Sequence, residues 1–181
     1  MATLIPAIST CRFDTTGERR LAERLEQKLD DDYWMWHNVP VGPTNVHPDF
    51  VVMHPRRGLL VLEVKDWKRA TIQSADKQSW TIIPDGVPKT VINPLEQARQ
   101  YAHQVVDALK RDPQLTQPDG PHQGQIAFPW SYGVVLHNIM PASGEDEKEA
   151  ARVFYVAATR ATQSLVIGVG GDGGFGSKLG T

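Results

Sequence analysis

Two carboxylates and an ammonium group are spaced for chemistry in this chain. Asp49 precedes the apolar run FVVMH, and Glu63 and Lys65 close the run LLVLEVK. The residues between, PRRG, have the composition of a turn. The two runs therefore read as strands over residues 49–54 and 59–65, joined at 55–58. Side chains two apart on a strand share a face, so Glu63 and Lys65 point the same way. Pairing across the turn brings Asp49 to the same end of the hairpin as Glu63. Two neighbouring carboxylates repel unless a cation neutralises them, and hard oxygen donors favour Mg²⁺ or Mn²⁺. An ammonium beside such a site orients hydroxide or stabilises charge on a phosphoryl transition state. Metal, water and cation together make a phosphodiesterase site.

The flanking segments must hold these groups. A helix is expected from Thr15 to about residue 29. Thr15 and Glu18 have capping-box spacing, and Leu21, Leu25 and Leu29 recur at helical intervals. Glu18 shares their face and so leans toward the sheet, where it could serve the cap or the site. Residues 33–41 read as a strand. Residues 70–83 read as a hairpin, with a further short strand over 86–92. Asn93, Pro94 and Glu96 have the pattern of a helix start with a second capping box. That helix runs to about residue 111 with Gln97, Tyr101, Val105 and Leu109 in one stripe. Residues 112–125, rich in proline and glycine, are expected to be a mobile loop. A buried strand is placed at 132–136, a helix over 145–161, and a strand over 164–169. Residues 1–14 are expected to be irregular.

Composition sets outer bounds. The chain has 181 residues, 40% hydrophobic, enough for one domain with a real core. Net charge is −2, so nucleic-acid binding requires a local patch. Arg56, Arg57, Lys65, Lys68 and Arg69 supply a candidate phosphate-binding cluster close in sequence. Trp67 could stack on a base or pack at a rim. The single cysteine, Cys11, excludes an intrachain disulfide and a cysteine-rich zinc site. No membrane span and no signal peptide are evident, and a cytoplasmic location is expected. His47 and His54 lack a third zinc ligand at recognisable spacing. The tripeptide HPD at 47–49 precedes a strand instead of joining two helices, which sets it apart from a J-domain. The GGDGGFGSK segment lacks the lysine position and following helix of a phosphate loop.

The order Pro48-Asp49, then Glu63-Val64-Lys65, resembles the PD-(D/E)XK nuclease superfamily. With Gly17-Glu18 in the first helix and a tryptophan-bearing hairpin after Lys65, residues 15–140 look like the nuclease-related domain, NERD. The resemblance implies an α/β fold with a restriction-endonuclease-like core, a mixed central sheet flanked by helices. It implies that Asp49 and Glu63 bind Mg²⁺ or Mn²⁺, joined by the Val64 carbonyl, and that Lys65 assists the water. Glu18 matches the first-helix glutamate found near the metal. Gln97 and Tyr101 match the Q-x-x-x-Y pattern of the RecB-like branch. The expected activity is DNA phosphodiester hydrolysis, as an endo- or exonuclease in repair or defence. The alternative is a DNA-binding module with little cleavage that acts with a helicase.

Residues 151–168, ARVFYVAATRATQSLVIG, resemble the last conserved motif of UvrD-type helicases, with Arg160 at the position of the arginine that reaches ATP. No Walker A lysine accompanies it, so no ATPase activity is expected. The expected organisation is a nuclease domain over 1–140, then a helicase-motif remnant and glycine-rich tail over 141–181. The likeness suggests the nuclease part of a nuclease-helicase.

Overall fold

The computed structural model describes residues 1–138, apart from the side chain of Arg69, and the backbone of residues 165–168. The expected helix over 145–161, the domain boundary at 140 and most of the helicase-like segment lie outside the described residues.

The β-branched and apolar runs on either side of the turn pair as expected. Strand β3 (Phe50–His54) lies antiparallel to β4 (Gly58–Lys68), with Phe50 opposite Leu62 and His54 opposite Gly58. Around them grows a six-stranded sheet that includes β1 (Thr3–Ile5), β2 (Trp34–His37), β8 (Trp130–Asn138) and β9 (Leu165–Gly168). Its order is β1-β2-β3-β4-β8-β9, and only β3 runs against the rest. The central position of β4 explains its unbroken apolar start, because both faces are covered.

Among the described residues, each face carries one helix. Helix α1 (Thr16–Lys28) places Leu21 and Ala22 against Phe50, Val52, Leu62 and Val64. Helix α2 (Pro94–Leu109) places Ala102, Val105 and Val106 against Val51, Leu59 and Val61. Alternation along β3 and β4 thus sends even-numbered side chains to α1 and odd-numbered ones to α2. The three layers form the mixed α/β core of a restriction-endonuclease-like fold.

A second sheet of three antiparallel strands, β5 (Ile72–Ala75), β6 (Ser79–Ile82) and β7 (Lys89–Ile92), interrupts the crossover from β4 to α2. Asn93 joins this sheet to α2. Its side-chain oxygen accepts the Leu95 N–H at 2.9 Å, its backbone N–H donates to Gln78, and its amide donates to the Asp76 carbonyl. Its N–H is therefore already used, and Glu96 pairs with Arg99 at 2.6 Å instead. The expected second capping box does not form.

Other expectations also change. Thr3–Ile5 is a short strand parallel to β2, not irregular chain. Residues 112–125 form a tied loop. Gln117 donates to Gln125 at 2.8 Å, Ala127 donates to Leu115 at 2.8 Å, and Leu115 packs against the α2-side core. The buried stripe of α2 is Ala98, Ala102, Val105 and Val106, and Tyr101 and Leu109 of the expected stripe pack beside it on the same core. The two alanines bring the helix backbone close to the sheet. No described helix is long and apolar enough to cross a membrane.

Candidate active site

Two glycines set the frame of the site. Gly58 has φ of +84°, and a Cβ there would overlap the Pro129 carbonyl oxygen. Only glycine permits the tight turn against that backbone. Gly17 lies where a Cβ would stand 2.8 Å from Asp66 Oδ1 and 3.1 Å from His137 Cβ. Its absence of a side chain lets the first turn of α1 approach the ends of β4 and β8. Gly17 N–H donates to Asp66 Oδ2 at 3.3 Å, and the Asn138 amide donates to Asp66 Oδ1 at 2.9 Å. Asp66 is a clamp among three elements.

Asp49 sits one residue before β3. Continuing the β3–β4 register from the Phe50–Leu62 pair places Asp49 opposite Glu63, both on the α2 side. The Asp49 carbonyl accepts Asn38 N–H at 3.2 Å, and its Oδ2 accepts Val64 N–H at 2.6 Å. Glu63 is buried, at 3% exposure. Its Oε1 accepts from Lys65 Nζ at 2.6 Å, while its Oε2 is buried with no hydrogen-bond partner. Burial and the facing Glu63 charge push the Asp49 carboxyl up to about 7, against the opposing pull of the Val64 N–H. Burial likewise raises Glu63, although the Lys65 ammonium pulls the other way.

This is a donor set that fits a divalent cation. An orphaned buried oxygen and two carboxylates that resist simultaneous ionisation are both relieved by positive charge. Val64 has its N–H committed to Asp49 and its side chain in the α1-side core. Among the described residues, no group of three histidine, cysteine or carboxylate side chains converges into a metal cluster.

Glu18 stands on the other side of the sheet. Its oxygens accept the Thr15 hydroxyl at 3.0 Å and the Asp14 N–H at 3.2 Å, and one lies 3.3 Å from His37 Nε2. Burial alone would raise this carboxyl, but the His37, Thr15 and Asp14 contacts hold it below its ordinary value. Its charge still raises both Asp49 and Glu63. Glu18 is thus an electrostatic neighbour of the pair whose hydrogen bonds belong to the helix cap.

Lys65 lies 5.8 Å from the ring centre of Trp67, and Trp67 lies 5.9 Å from Trp80. Trp80 packs against Ala98, Val134 and Leu136, which anchors this aromatic wall on the core. Gln97 and Tyr101 occupy the flank of α2 over the same face as Glu63, and the Gln97 amide donates to the Tyr101 hydroxyl at 3.1 Å.

The basic cluster does not stay together. Arg56 and Arg57 lie at the turn, whereas Lys65 and Lys68 lie toward the carboxyl end of β4. At about 3.3 Å per residue, Arg57 and Lys65 are about 25 Å apart. Arg57 donates to the Tyr33 hydroxyl at 2.7 Å. His54 Nδ1 accepts the Arg56 and Arg57 N–H groups at 3.0 and 3.1 Å, so Nε2 carries the proton toward Asp32, 2.9 Å away. His54 is a turn brace, not a metal ligand. His47 contacts Asn38 and Asn45 in an exposed loop.

A family model, the nuclease-related domain, matches residues 14–137. The match ends before the helicase-like segment. No curated protein and no solved structure matches the chain.

Proposed function

Because the chain belongs to the nuclease-related domain family, within the PD-(D/E)XK nuclease superfamily, we propose that it is a Mg²⁺- or Mn²⁺-dependent nuclease that hydrolyses DNA phosphodiester bonds. The observation that carries this reading is the buried, unpartnered Oε2 of Glu63 on the strand opposite Asp49.

Asp49, Glu63 and the Val64 carbonyl would hold the ion. When bound, it supplies Lewis-acid activation of the scissile phosphodiester and neutralises the carboxylate pair. The protein's own groups do the rest. The Val64 N–H fixes Asp49, so the pair is preorganised before any substrate arrives. Lys65 donates from the carboxyl end of β4, where its ammonium can reach a water or a phosphate oxygen once Glu63 no longer needs it. Trp67 and Trp80 limit where that ammonium can swing. Water oxygen forms the new bond to phosphorus as the bond from phosphorus to the ester oxygen breaks, and the proton the water loses is balanced by the one the leaving oxygen takes up. The roles of Glu18, Gln97 and Tyr101 are supporting. Glu18 adds negative charge near the pair, and the other two present polar groups over its face.

The test is cleavage of linear and circular DNA with Mg²⁺, with Mn²⁺ and with EDTA, for the native chain, Asp49→Asn and Lys65→Ala. Metal-dependent cleavage lost in both variants is expected. Unchanged cleavage in both would assign the activity to a contaminant. A motor partner belongs to the proposal only through the sequence likeness of residues 151–168, and co-purification with a helicase tests it.

A further inference from the structure

We infer that the DNA backbone is held at the carboxyl ends of β4 and β8, by Arg20 and Lys68, and not by the turn arginines Arg56 and Arg57. This rests on the nuclease reading for the identity of the ligand and on placement for the surface. All strands of the six-stranded sheet but β3 run the same way, so the carboxyl ends of β4 and β8 lie together, with Glu63 and Lys65 toward that end. In open α/β sheets ligands bind beyond the carboxyl ends of the parallel strands.

Helix α1 delivers cations to this end. The close approach at Gly17 sets its first turn against Asp66 and His137. Arg20, one turn on and exposed, has Nη1 3.2 Å from His137 Nε2 near the end of β8. That contact requires Nε2 to be unprotonated, so His137 steers the guanidinium without competing for a phosphate. Lys68 is exposed and pairs in register with Asn138, whose amide is tied to Asp66. The nearby acid, Asp66, is occupied by the Gly17 N–H and by Asn138. Among the described residues neither Arg20 nor Lys68 forms an ion pair. On a chain of net charge −2, two unpaired cations beside the catalytic groups form a local anchor for phosphates.

Arg56 and Arg57 fail on placement: they flank the amino end of β4, the opposite end of the strand from Lys65.

The experiment is equilibrium binding of a fluorescent DNA duplex by the full chain in EDTA across 50–200 mM salt, so that cleavage plays no part. Each lost phosphate contact lowers the salt slope by about 0.9. The Arg20→Ala/Lys68→Ala double variant should therefore flatten the slope by about 1.8. Its loss of affinity over that salt range should shrink by about twelvefold relative to the native chain. Arg56→Ala/Arg57→Ala should leave the slope unchanged. Arg20 and Lys68 are exposed, and an unchanged melting temperature checks that the fold is intact. The reverse pattern, an equal effect of both double variants, or no duplex binding by the native chain would overturn the inference. Failure of cleavage with normal, Arg20-dependent binding would overturn the nuclease reading and leave this one standing.

Discussion

Removing the charge of Asp49 should stabilise the metal-free protein while abolishing cleavage. The unfolded chain releases the Asp49 proton near its ordinary value of 3.8, whereas burial and Glu63 keep it on the folded chain until about 7. Below pH 4 both states hold the proton and the group is neutral to stability. Between 4 and 7 the folded state binds more protons, so stability falls as pH rises. Above 7 the full deficit is present. Each pH unit between the two values corresponds to about 1.4 kcal/mol, which sets a ceiling of about 4 kcal/mol. Asp49 is only half-buried, and solvent screening reduces the expected effect to about 2 kcal/mol. Asparagine retains an oxygen to accept the Val64 N–H that Asp49 now accepts at 2.6 Å. Urea unfolding in EDTA should therefore find Asp49→Asn about 2 kcal/mol more stable at pH 8, or about 4–8 °C higher in Tm. The two proteins should converge at pH 4. Saturating Mg²⁺ at pH 8 should stabilise the native chain and leave the variant unmoved, because ligand bound only to the folded state adds stability by mass action. A native chain as stable as Asp49→Asn at pH 8, or a gap that does not close on acidification, would refute the reasoning.

Three further outcomes are expected. Lys65→Ala should lower kcat by about 10²–10³-fold, as loss of a preorganised donor does, with duplex binding retained in EDTA. Gly58→Ala should destabilise by about 2–4 kcal/mol, read by urea unfolding, since it combines a φ of +84° with overlap on the Pro129 carbonyl. His54→Ala should lose about 1–3 kcal/mol by the same measurement, because the turn N–H groups and Asp32 lose their buried partner. Its cleavage rate at low temperature should match that of the native chain, because His54 is at the far end of the strand from Glu63.

The hairpin and its neighbouring helices were legible because their signals are local. Apolar runs, a turn and the caps at Thr15 and Asn93 sit within a few residues of one another. Asp49 and Glu63 could be set opposite each other by counting from the turn. The same count carries Arg56 and Arg57 away from Lys65, but nearness in sequence concealed it. What could not be read depends on partners remote in sequence. Thr3–Ile5 becomes a strand only because β2 offers it an edge. Asp66 acquires its role from Gly17 and Asn138, 49 and 72 residues away in sequence. The Glu96 box failed because Arg99 and Gln100 compete for its oxygens. The α2 stripe is wider than its large apolar residues indicate because Ala98 and Ala102, weak hydrophobic signals, are fully buried.

The three-stranded sheet within the β4-to-α2 crossover has an evolutionary consequence. The chain leaves the core after Lys68 and re-enters it at Asn93, and Asp49, Glu63 and Lys65 lie outside that excursion. Residues 69–92 can lengthen, shorten or change sequence at the β5–β6 and β6–β7 turns while these three side chains keep their places. Trp80 and Asn93 are the two pins that limit such drift. Lineages of this fold can therefore diversify what surrounds Asp49, Glu63 and Lys65 without rebuilding the strands that hold them.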